Sequence, residues 1–146
     1  MLAMNRRALL FLLLAALSSA ALRFCDAQSP ALHRVKTIHV AAMGSGAESD
    51  RFHSLLQDEL RKSGFEVANT PQNADARLTG TFTAETSGGN SLARATVTLK
   101  SRDGKQLLWS GDYVAQHRGE GHEDVVKTVS ETCAGQLRKS WEKSAP

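Results

Sequence analysis

The chain has 146 residues and a formal net charge of +3, enough for a short leader and one domain core but not for two full cores. Without the first 27 residues, which hold Arg6, Arg7, Arg23 and Asp26, the balance falls to about +1, with bases and acids interleaved. Such a chain lacks the basic field that phosphate backbones require, which excludes a nucleic-acid partner.

In chain order, Asn5-Arg6-Arg7 is a positive start, Ala8 to Leu17 an apolar run and Ser18 to Ala21 a small-residue stretch. This is the layout of a secretory signal, and its apolar run of about ten residues is half of what a bilayer span needs. Residues 1–27 are therefore expected to be removed, with cleavage after Ala27 and Ala20 or Ala21 as alternative sites. Cys25 follows Phe24, where an acylated cysteine requires a small residue, so lipid anchoring at Cys25 is not expected. Early cleavage would leave Cys25 able to pair with Cys133 in an oxidising compartment, whereas cleavage after Ala27 leaves Cys133 alone. Nothing downstream suggests a stable transmembrane segment.

Residues 28–34 read as a polar tether and 35–143 as a single α/β domain. Val35 to Ala42 alternates as a strand with Ile38 and Val40 inward. After the Gly44-Ser45-Gly46 break, Phe52, Leu55, Leu56 and Leu60 recur at helical spacing, the helix opened by Glu48 and Asp50 and ended by Gly64. Phe65 to Ala68 is a short strand. Ala76, Leu78, Gly80, Phe82 and Ala84 then alternate with polar residues, as do Ala93, Ala95, Val97 and Leu99 after the Ser87-Gly88-Gly89-Asn90 turn. Past the Asp103-Gly104 hairpin signal, Leu107, Trp109, Gly111, Tyr113 and Ala115 continue a third long strand. Val126, Val129, Cys133, Leu137 and Trp141 form the stripe of a final helix. The economical packing is an α+β two-layer sandwich, βαββββα, in which two helices lie on one face of a mixed five-stranded sheet.

The opposite sheet face would carry Arg77, Thr79, Thr81, Arg94, Thr96, Thr98 and Lys100, a candidate binding surface. No catalytic set is evident. Gly44-Ser45-Gly46 lacks the further glycine or lysine of a phosphate loop. Ser110 has no nucleophile elbow, and Cys133 falls on an apolar stripe, the place of a buried thiol. His117, Glu120 and His122 supply metal donors in a segment broken by Gly119 and Gly121, at no established spacing. Glu123 and Asp124 are better accounted for as acids at the start of the last helix. His33, His39 and His53 are isolated and read as ordinary surface or boundary histidines.

Ser63-Gly64-Phe65-Glu66-Val67, Ala74-Asp75-Ala76-Arg77-Leu78-Thr79-Gly80 and Gly104-Lys105-Gln106-Leu107-Leu108-Trp109-Ser110-Gly111 form a series. With the first strand and helix, it resembles the small α/β domains of bacterial envelope proteins of the CsgG, LpoB and TolB amino-terminal type. The lipopolysaccharide-assembly lipoprotein LptE has a similar layout of two helices on a mixed sheet. The resemblance runs over about residues 35 to 141 and implies a non-catalytic accessory, scaffold or regulatory role at a membrane complex, with no cofactor. The expected protein is thus an exported accessory protein, periplasmic or extracellular, with a protein partner in the cell envelope. The alternative is a small secreted metal-binding protein or hydrolase using His117, Glu120 and His122.

Overall fold

The computed structural model describes residues 31–119 and 124–146; the expected signal, residues 28–30 and Cys25 lie outside them. The chain forms β1 (Thr37–Val40), α1 (Ala47–Lys62), β2 (Glu66–Val67), β3 (Ala76–Ser87), β4 (Asn90–Ser101), β5 (Leu107–His117) and α2 (Val125–Lys143). The five strands make one sheet in the order β2-β1-β3-β4-β5. β1 runs parallel to β2 and β3, while β3–β4 and β4–β5 are antiparallel. The α+β sandwich with a mixed five-stranded sheet is therefore the observed architecture. Both helices join one face of the sheet in a single core that includes Ile38, Phe52, Leu56, Leu78, Val97 and Leu137.

Local chemistry accounts for most boundaries. At the end of α1 the Phe65 N–H donates to the Leu60 carbonyl and the Gly64 N–H to Arg61, with Gly64 at φ 94°. This is the doubly bonded left-handed cap that glycine adopts without a Cβ penalty. The β3–β4 hairpin turns on Gly88 and Gly89 alone, since Ser87 pairs with Asn90; a two-residue loop of this kind matches the twist of its strands. Asp124 stands one position before α2 and its carboxylate accepts from the Lys127 N–H at 3.1 Å, so it acts as an N-cap rather than as an acid inside the first turn.

The structure revises several local expectations. The tether expected over 28–34 is, in its described part, a 3-10 turn at Leu32–Arg34, with Leu32 2% exposed in the core. One buried leucine in a polar stretch carries no periodicity from which docking could be read. The first strand is confined to Thr37–Val40 and the second to Glu66–Val67. The chain also turns from β4 to β5 through five residues, its Asp103 carboxylate accepting from Ser101 Oγ and the Lys105 N–H. Finally, Leu107, expected inward, is 56% exposed, and Leu108 is the buried residue. A bulge causes this: Leu99 pairs with Trp109 and Lys100 with Leu107, leaving Leu108 unpaired, and one extra residue reverses the side-chain alternation beyond it.

Candidate functional site

The outer face of the sheet collects all seven expected binding residues, because β3 and β4 pair without a break over twelve positions. Arg77 lies directly opposite Lys100, Thr79 opposite Thr98, and Thr81 opposite Thr96, while Arg94 faces Thr83. β5 extends these rows with Leu107 beside Lys100, Ser110 beside Thr98, Asp112 beside Thr96 and Val114 beside Arg94. Thr96 Oγ1 donates to Asp112 Oδ1 at 3.1 Å.

The electrostatics of this face are uneven. Like charges directly opposite on neighbouring strands repel, and Arg77 and Lys100 are such a pair. No hydrogen bond or ion pair joins either to an acid among the described residues, and Arg77 Nε is buried without a hydrogen-bond partner. The neighbouring Asp75 is committed elsewhere. Its Oδ2 accepts from the Lys36 and Thr37 N–H groups at 3.0 and 3.1 Å, and its Oδ1 lies 3.6 Å from Arg102. The sequence marks Asp75 only as a loop residue; its clamp on the start of β1 depends on a contact 38 positions away.

The other candidate groups are spread apart. His117 ends β5, whereas Glu120 and His122 lie outside the described residues. Among the described residues no group of three or more His, Cys, Asp or Glu side chains is placed to hold a metal ion. The three isolated histidines each donate to a backbone carbonyl: His33 to Trp141, His39 to Ala68 and His53 to Val40, at 3.3, 3.1 and 2.8 Å. They tie elements together, a role that needs the tertiary partner to be recognised. His33 also packs against Trp141 with ring centroids 4.4 Å apart, and Trp141 Nε1 donates to the Val35 carbonyl. This joins the start of the domain to the end of α2. Ser110 is exposed on the outer face.

Two of the open clefts among the described residues flank the core. One of about 510 Å³ lies between Arg34, Val35, Asp75, Arg102 and Leu108. The other, of about 630 Å³, lies where the starts of α1 and α2 meet, lined by Glu48, Arg51, Glu85 and Asp124. There Arg51 ion-pairs with Asp124. Burial opposes ionisation of Asp124, but the Lys127 N–H and Arg51 outweigh it and hold its pKa below the ordinary value. A depressed carboxylate stabilises the fold above its unfolded pKa of about 4, and this contribution is lost as pH falls through the folded value. Replacing Asp124 by Ala is expected to cost about 1 kcal/mol at neutral pH. Urea titrations at pH 7 and below pH 4 check this, with the difference between the two proteins shrinking in acid.

Cys133 is 0% exposed, and burial pushes its thiol up to about 12. The neutral thiol is what the apolar stripe accommodates, so native protein is expected to leave Cys133 unmodified by a thiol reagent that labels it fully in guanidinium. Because the folded thiol holds its proton more tightly than the unfolded one, its contribution to stability is complete below the ordinary pKa of 9.0 and is lost as pH rises toward about 12.

The fold and the outer face define a class, a small two-layer α+β domain with its polar residues gathered on the open side of a mixed sheet. No protein-family model matches the chain, and no curated protein does. Solved structures share the fold. A PelC dodecamer from Paraburkholderia phytofirmans is 19% identical with a TM-score of 0.61, the match covering 72% of this chain and 88% of that one. A second PelC dodecamer structure gives 15%, 0.55, 73% and 89%. Lipoprotein GNA1162 from Neisseria meningitidis gives 14% identity and a TM-score of 0.50 over 70% of this chain and 96% of its own. At these identities the likeness is one of fold.

Proposed function

We propose that this chain is an exported, non-catalytic accessory protein of the bacterial cell envelope that holds an acidic partner on the outer face of its sheet. The observation that carries the reading is the Arg77–Lys100 pair. Two cations sit opposite each other with no acid from the described residues between them, a repulsion that an acidic partner relieves. The rows of threonine hydroxyls beside them add uncharged hydrogen-bonding groups. The leader over residues 1–27 supports export, and the resemblance to the CsgG, LpoB and TolB type supports an accessory role at a membrane or periplasmic assembly. The lipoprotein GNA1162, which shares the fold, is consistent with an envelope location.

Reversing both charges, R77E/K100E, keeps the like-charge geometry of the fold but turns the face acidic. Cross-linking in the native envelope followed by mass spectrometry is expected to recover a partner with the wild-type protein and to lose it with this variant, at an unchanged melting temperature. Recovery of the same partner by both proteins overturns the reading. The intact mass of the same sample decides maturation: an unmodified start at Gln28 agrees with a soluble protein, and a diacylglyceryl mass on Cys25 makes it lipid-anchored.

A further inference from the structure

The two edges of the sheet differ. β2 closes one edge with only two residues, whereas β5 forms the other with 11. A long edge is normally blunted by lysine, proline or shortness, yet β5 contains no Lys, Arg or Pro and a single charge, Asp112. The exposed large hydrophobic side chains among the described residues are Leu107 and Val114, 56% and 54% exposed. Val114 faces outward by the regular alternation of β5, opposite Arg94, and the bulge at Leu108 brings Leu107 to the same face.

We propose that the β5 edge pairs with β5 of a second copy, antiparallel about a two-fold axis at Gly111. The strand is self-complementary in that register. Moving out from the axis, Ser110 meets Asp112 of the second copy, a hydroxyl facing a carboxylate whose other oxygen already accepts from Thr96. Trp109 meets Tyr113, two aromatic rings on the helix side that already stack along β5 with centroids 6.2 Å apart. Leu107 then meets Val114, because skipping the bulged Leu108, as β4 does, keeps the outer-face residues in phase. Each of these opposing pairs is of a favourable type, and each occurs twice by symmetry. The axis passes through Gly111, over which the Tyr113 ring of its own chain lies, so that a Cβ there would come 2.3 Å from Tyr113 Oη. No Cβ stands between the two backbones at the point where the strands cross the axis. The pairing also covers the apolar side chains that a lone domain leaves in water.

Sedimentation of the mature protein over a range of concentrations tests the proposal. Wild type is expected to dimerise reversibly. V114E is expected to weaken the dimer at least tenfold while melting normally, since within the chain position 114 faces Arg94. In the two-fold register position 107 of one copy faces position 114 of the other, so L107K/V114E, made with K100T to remove the like charge beside position 107, is expected to restore the dimer. A wild-type monomer at all concentrations, an assembly that V114E leaves intact, or a failure of K100T/L107K/V114E to restore what V114E removes each overturns it.

Discussion

Phe52→Ala is expected to destabilise the domain by about 3–5 kcal/mol, the range for a fully buried aromatic truncated to a methyl group. Phe52 is 0% exposed on α1 and stacks on Phe82 of β3, with ring centroids 4.3 Å apart and planes 4° from parallel. The pair joins the first helix to the middle of the sheet. Truncation therefore removes apolar burial and the ring contact together, and the surrounding strands hold the cavity open. Against a total stability of about 5–15 kcal/mol for a domain of this size, the loss approaches unfolding at growth temperature. Urea denaturation of the mature protein measures it. Phe52→Leu, closer in volume, is expected to lose less than about half as much. A double-mutant cycle with Phe82→Leu should leave a coupling of about 0.5–1.5 kcal/mol for the ring pair.

Gly80→Ala is expected to cost about 3 kcal/mol although it adds a single methyl group. A Cβ at residue 80 would stand 1.9 Å from the Thr96 carbonyl oxygen and 2.9 Å from its carbon, both backbone atoms that no rotamer change can move. Gly80 pairs with Val97, so relief requires β3 and β4 to part in the middle of their ladder. Those strands carry the Arg77–Lys100 pair and the threonine rows. The variant is thus expected to lower the melting temperature and to broaden the amide spectrum of Thr79, Thr81 and Thr96 before unfolding. An alanine variant as stable as wild type would mean that the strands separate at little cost.

The amino-acid sequence is most legible in β3 and β4. Alternation of period two separates Leu78, Phe82, Ala95 and Leu99 from Arg77, Thr81, Thr96 and Lys100, and the Gly88-Gly89 turn sets the register between them. The seven outer-face residues could be named for that reason. The helical stripes of Phe52 to Leu60 and Val126 to Trp141 are legible on the same ground, since a periodic face announces that it will be buried. Periodicity failed where one residue breaks it. The bulge at Leu108 moves Leu107 outward, and no local pattern marks which leucine of the pair is extra.

By itself the sequence determined the fold class, the two sheet faces of β3 and β4 and the glycine cap that ends α1, all of which depend on residues a few positions apart. Only the tertiary structure decided that β1 lies between β2 and β3, that Asp75 clamps the start of β1, and that Leu32 and His33 dock near Trp141. Each of these joins residues about 30 or more positions apart, and their cost is the closing of a loop, which depends on the whole packing and leaves no mark on local spacing.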